Sequence, residues 1–146
     1  MENNMQLQNI IELMNQDLAN ELKHFKFYLN AYFSLRGFDR LHFGSWLEKH
    51  ADEELAHVKM FANKIVALGG SPVVEANPYS VGLTDAKEIL KFAIEMETEV
   101  IKNYHIRLKQ MEDFSTKTGE FYDLVLFYEE HIEDSQNDLD EMNKML

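Results

Sequence analysis

The feature that most constrains this chain is how little interrupts it. From Gln6 to Leu35 there is neither Gly nor Pro, and the whole sequence holds only 2 Pro and 6 Gly. These residues punctuate chains into turns, so their scarcity favours long helices over many short strands. Arg36-Gly37-Phe38-Asp39 reads as a short turn. A second stretch runs from about Asp39 to Leu68, broken only by Gly44, and stops at Gly69-Gly70-Ser71-Pro72. Gly just past a helix with Pro beyond it is a strong stop signal. Residues 71–83, with Pro72, Pro78 and Gly82, form a long connection. Thr84 is the expected N-cap of a third stretch, with Asp85 in its first turn, where the helix dipole favours an acid. That stretch is expected to end near Met111, Asp113 to Gly119 to form a polar loop, and a fourth stretch to run from Glu120 to Leu146.

Within each stretch the apolar residues recur at alternating steps of 3 and 4, the spacing of a bundle seam. The first seam is Ile11, Met14, Leu18, position 21, Phe25, Tyr28, Tyr32 and Leu35; the third is Leu90, Ile94, position 97, Ile101, Tyr104, Leu108 and Met111. Each stretch is expected to be a helix of about 28 residues, roughly 42 Å long. Short loops join antiparallel neighbours and a long one crosses the bundle end to end. The order short, long, short therefore predicts an all-α antiparallel four-helix bundle with one long crossover between the second and third helices.

With 146 residues and 45% hydrophobic side chains, residues 1–146 are expected to form a single domain with a real core. The net charge of −12 argues against binding nucleic acid through its phosphates and suits cations better. The absence of Cys excludes disulfides, thiolate metal sites and Cys nucleophiles. No stretch has the length and apolarity of a membrane span, and Met1 to Gln8 lacks the pattern of a signal peptide. A cytoplasmic protein without membrane contact is expected.

Against such regular seams the exceptions carry information. Glu21 and Glu97 each occupy a mid-helix seam position between large apolar residues. A carboxylate there is costly unless a cation compensates it. The second helix carries Leu47, His50, Glu54, His57, Phe61 and Leu68 on one face, and Glu54 and His57, three residues apart, can reach one metal ion. In the fourth helix the seam is Phe121, Leu124, Tyr128, His131, Ser135, Leu139, Met142 and Leu146, with His131 as its ligand-type residue. Glu129, Glu130 and Glu133 fall to the side and Asp134 lies at the edge. A rotated helix would bring Glu130 or Asp134 inward instead. No Lys or Arg sits in the seams near these residues. Any one of these side chains alone is more simply a paired structural charge. All four helices presenting one together matches two Glu and a Glu-x-x-His around a pair of metal ions. Carboxylate and imidazole donors without thiolate suit iron or manganese.

These strings resemble a known family. Asn20-Glu21-Leu22 with Tyr28 beyond it, the run His50-Ala51-Asp52-Glu53-Glu54-Leu55-Ala56-His57, Leu68-Gly69-Gly70 and Glu95-Met96-Glu97 are similar to bacterial ferritins and bacterioferritins, over roughly Asn9 to Met142. His131-Ile132-Glu133 resembles the end of the bacterioferritin motif. The resemblance implies a ferroxidase centre with two irons per subunit, in a homo-oligomer forming a shell. Glu21 would be a terminal ligand on one iron, Glu54 would bridge the two, and His57 would bind the first. Glu97 and His131 would bind the second, and Tyr28 would hydrogen-bond a ligand or supply an electron.

Several positions depart from that pattern. The bacterioferritin Glu of the fourth helix is Tyr128 here, and an alignment to the non-haem ferritins would instead pair His131 with Asp134, or Glu130 with Glu133. Leu55 stands where the haem-binding Met would be, so no haem is expected by that route. His24 falls beside the seam, which suggests a supporting role behind the ligands or a subunit contact rather than direct ligation. The chain ends soon after the fourth helix, so the short fifth helix of many ferritins is not expected and the size of the shell stays open. The basic tails of DNA-protecting mini-ferritins are lacking. The leading expectation is Fe(II) oxidation by O₂ or peroxide with storage of the product. A rubrerythrin-like di-iron or di-manganese peroxidase, or a structural bundle without metal, are the alternatives.

Overall fold

The computed structural model describes residues 2–146, with side chains from Gln6 onward. It contains four helices: α1 (Glu2–Ser34), α2 (Arg40–Ala67), α3 (Ala86–Thr118) and α4 (Tyr122–Lys144), with no strand among the described residues. No helix among them is long and apolar enough to cross a membrane. The chain divides into two compact units, one running through Ile89 and one from Leu90 to Leu146.

In the first unit α1 and α2 lie antiparallel. Contacts step down one helix as they step up the other: Glu21 faces His57, Tyr28 faces His50, and Arg40 at the start of α2 reaches Tyr32. Met14, Leu18, Leu47, Phe61 and Ile65 are fully buried, each worth about 1.5–3 kcal/mol of transfer free energy. The turn between the helices is held by Arg40. Its guanidinium donates to the carbonyls of Leu35, Tyr32 and Phe33 at 2.9, 3.1 and 3.4 Å. Those are among the carbonyls that a helix end leaves without intrahelical partners.

α2 stops as the sequence indicates. Gly69 takes the left-handed φ of 88°, and the Gly70 N–H donates to the Ile65 carbonyl at 2.9 Å. Gly70 is also packed tightly: a Cβ there would lie 2.6 Å from Ile11 Cγ2. The crossover then runs beside α1, in the same direction. Asn15 accepts from the Val73 N–H and donates to the Ser71 carbonyl, the Asn77 N–H reaches the Ala19 carbonyl, Asn30 accepts from Gly82, and the Arg36 N–H reaches the Thr84 carbonyl. α1 thus guides the chain from one end of the helix pair to the other. The helix cap there is Asp85, not Thr84. Its carboxylate accepts from the Glu88 N–H at 3.0 Å, the N-cap to N3 geometry.

In the second unit α3 and α4 are also antiparallel, with Tyr104 against Tyr128 and His131, and Phe114 against Phe121. Here the polar loop expected over Asp113–Gly119 is corrected: α3 continues to Thr118. Met111 and Phe114, three residues apart, are both buried and continue the apolar face, while the intervening acids lie on the solvent side. The helices are accordingly 33, 28, 33 and 23 residues long rather than equal. The buried stripes are also wider than the seams. Leu22, Phe27 and Ala31 of α1 are buried, whereas the seam residues Phe25 and Tyr32 are half-buried. Core-facing helices bury an apolar stripe wider than a single coiled-coil seam.

Candidate metal centre

The centre of the first unit is built from two polar stripes. On α1, Asp17, Glu21, His24 and Tyr28 repeat at steps of 4, 3 and 4 and are all buried. On α2, His50, Glu54 and His57 do the same at steps of 4 and 3, with His57 half-buried. Antiparallel packing sets the two stripes face to face. Glu21 and Glu54 are each 3% exposed. His57, 14% exposed at its side chain, places Nδ1 3.6 Å from a Glu21 oxygen and 3.5 Å from a Glu54 oxygen. Two donors bonded to one cation at about 2.1 Å stand about 3.0–3.4 Å apart. His57 therefore stands within a few tenths of an ångström of sharing a cation with either carboxylate. The ligand atoms of the three side chains form one cluster within 4.8 Å.

The electrostatics have one consistent direction. Burial alone would raise the Glu21 carboxyl, but the His57 and Glu54 side chains and the His57 charge outweigh it and hold the group well below the ordinary carboxylate range. Burial disfavours the charged form of His57, yet the two carboxylates beside it push it up to about 11. A proton thus sits where a metal cation would. No Lys or Arg is buried among the described residues, while Asp17, Glu21, Glu54 and Glu97 are. Buried acids need compensation, and among the described residues the side chains buried with them that can carry a positive charge are imidazoles. Two carboxylates and an imidazole fit a hard-to-borderline cation such as Fe²⁺ or Mn²⁺.

Beside this cluster lies an aromatic group. Tyr28 is fully buried, with its ring 5.4 Å from His50 and 6.2 Å from Trp46. Trp46 lies 4.0 Å from His50 and stacks on Phe43 at 4.9 Å. His50 is one helical turn from Glu54, so this group abuts the cluster along α2.

In the second unit Glu97 of α3 is buried, as is His131 of α4. His131 Nδ1 lies 2.7 Å from the Phe127 carbonyl. A carbonyl only accepts, so Nδ1 carries a proton, and in the neutral ring the lone pair is then on Nε2, the tautomer a metal-binding imidazole needs. Glu129, Glu130, Glu133 and Asp134 are all exposed, which leaves His131 as the inward residue of that turn. Tyr128 is fully buried against Tyr104, their rings 5.5 Å apart.

Sequence reading passed over Asp17 and the burial of His24. The step of 4 and 3 that links both to Glu21 was the available signal. His24 is 2% exposed within a single chain, which removes the expected subunit contact.

A family model described as a ferritin-like domain matches residues 11–145. Among solved structures, a ferritin-like diiron-carboxylate protein from Bacillus anthracis str. Ames is 28% identical over 97% of each chain, with a TM-score of 0.84. The bacterioferritin of Desulfovibrio desulfuricans is 23% identical over 98% of this chain and 81% of that one, with a TM-score of 0.87. A Dps protein from Bacillus brevis is 14% identical over 97% of both chains, with a TM-score of 0.84. The last two likenesses speak for the fold alone. No curated protein matches.

Proposed function

The chain belongs to the ferritin-like family, and on that premise we propose that it oxidises Fe(II) at a carboxylate–histidine centre inside each subunit and stores the ferric product in a homo-oligomeric shell. The observation that carries this reading is the buried Glu21–Glu54–His57 cluster, which has the donor types and separations of an iron site. Glu54 is the shared carboxylate, with Glu21 and His57 on one iron. By the family pattern, Glu97 and His131 would be ligands of the second iron. Their support is the family pattern, their burial and the tautomer of His131.

Iron is the substrate, and the redox chemistry is its own: two Fe²⁺ give two electrons to O₂, which takes up two protons and leaves as H₂O₂. The chain's part is to bind and orient. The carboxylates draw Fe²⁺ out of water and stabilise the higher charge of the ferric product more than that of the substrate. Glu21 stays ionised throughout. His57 gives up its proton as iron enters, which supplies one proton close to where oxygen is reduced. Tyr28, sealed from solvent among Phe27, Trp46 and His50, would donate an electron or a hydrogen bond. The exposed apolar residues Phe33, Phe38 and Leu41 around the α1–α2 turn, Phe38 being 90% exposed, support burial of that corner in an assembly.

The test is Fe²⁺ oxidation in air by the purified protein, followed at the ferric absorbance. Wild type is expected to oxidise iron well above the rate of a Glu54→Ala variant. Equal rates would remove the proposal.

A further inference from the structure

His24 is not among the ligands of the proposed centre, yet its surroundings suit it to one. It lies one turn beyond Glu21 on α1 and is 2% exposed. A ring nitrogen of His24 and a carboxylate oxygen of Glu54 lie within 4.8 Å of each other. Two donors on opposite sides of one cation at about 2.1 Å stand about 4.2 Å apart. The adjustment needed for both to bind one ion is therefore at most about 0.6 Å. Glu54 has two oxygens, each with two lone-pair sites. One oxygen lies 3.5 Å from His57, so Glu54 has imidazoles within reach from both helices of the pair.

We propose that His24 is itself an iron ligand, so that Glu54 is shared between two cations: one held with Glu21 and His57, the other with His24. The inference rests on the proposed iron centre and adds a second nitrogen donor to it. Its chemical consequence is selectivity. Imidazole raises affinity for Fe²⁺, Co²⁺ and Zn²⁺ over Mn²⁺ and Mg²⁺, which favour oxygen ligands. A residue that only steadied a ligand from behind would cost about 10–100-fold in affinity when removed, while leaving the number of ions unchanged.

The experiment is a Co²⁺ titration of the full-length protein, read by visible absorption and calorimetry. Thermal melts would confirm that each variant is folded. Wild type is expected to bind two Co²⁺ per chain, and His24→Leu and His24→Asn to bind one. Two ions retained by both variants, with full or merely weakened affinity, would overturn the role of His24 and leave the iron centre standing. A wild type that binds no Co²⁺ would instead overturn the centre itself. If neither variant folds, wild-type crystals soaked in Co²⁺ decide the matter. An anomalous peak within bonding distance of a His24 nitrogen supports the inference; peaks that leave His24 unbonded refute it.

Discussion

Cation binding should displace the proton that His57 holds between Glu21 and Glu54, and pH is the perturbation that reveals it. Each carboxylate, at 3.5 or 3.6 Å, attracts an imidazolium by about 4–5 kcal/mol at an effective dielectric of about 20. Burial opposes this with a penalty of a few kcal/mol. The balance, about 6 kcal/mol, corresponds to the rise of His57 from 6.5 to about 11. A metal ion that takes the imidazole lone pair must remove that proton, so affinity should climb about tenfold per pH unit wherever His57 is protonated. Between pH 6 and 8 the gain should be about 100-fold. An imidazole at its ordinary value would be mostly neutral by pH 7 and would give only about fourfold over the same range. The assay is Zn²⁺ or Co²⁺ affinity against a competing chelator at several pH values. Proton release is counted independently by calorimetry in buffers of different ionisation enthalpy. A gain near fourfold, with no proton released at pH 8, would refute the argument.

Other outcomes follow from the same structure. With chelator present, the stability that Glu21 contributes is full above about pH 4.5 and lost as pH falls, because its carboxyl is lowered. That from His57 is full below about pH 6.5 and lost as pH rises through about 11, because its imidazole is raised. The two together predict a maximum in melting temperature between about pH 4.5 and 6.5, and adding a divalent cation should move the maximum upward; thermal melts across pH check this. Fe²⁺ or Co²⁺ should quench Trp46, which lies 4.0 Å from His50 and one turn of α2 before it. The quenching should saturate with site filling and be absent in Glu54→Ala. Gly70→Ala sets a methyl 2.6 Å from Ile11 Cγ2 and 3.1 Å from Ile65 Cγ2, and should cost about 1–3 kcal/mol in denaturant unfolding without a change in m. Under excess Fe²⁺ and air, a storing shell should turn over many irons per chain, whereas a fixed redox centre should stop near two; light scattering and iron analysis separate them.

How much of this was legible in the sequence differs by feature. The four helices follow from the scarcity of Gly and Pro, and the end of α2 from Gly69-Gly70, because these are local backbone constraints. Glu21, Glu54 and His57 could be picked out because each breaks an apolar pattern at a helical step. The end of α3 was missed because Glu112, Asp113 and Ser115 to Lys117 look like a loop in composition. Only the step from Met111 to Phe114 marks them as the wet side of a helix that continues. His24 was misplaced because an idealised wheel gives a seam one residue wide, and the packed helix buries a broader stripe. The path of the crossover could not be read at all. It depends on Asn15, Ala19 and Asn30 meeting backbone far along the chain, contacts that have no signature in either segment alone.

The claim that iron is bound by Glu21, Glu54 and His57 is tested most directly by soaking crystals in Fe²⁺ without oxygen and collecting anomalous data at the iron edge. A peak is expected within bonding distance of all three side chains, and a second on the other side of Glu54, about 3.5–4 Å away. A fully soaked crystal with no peak bonded to Glu54 would contradict the claim.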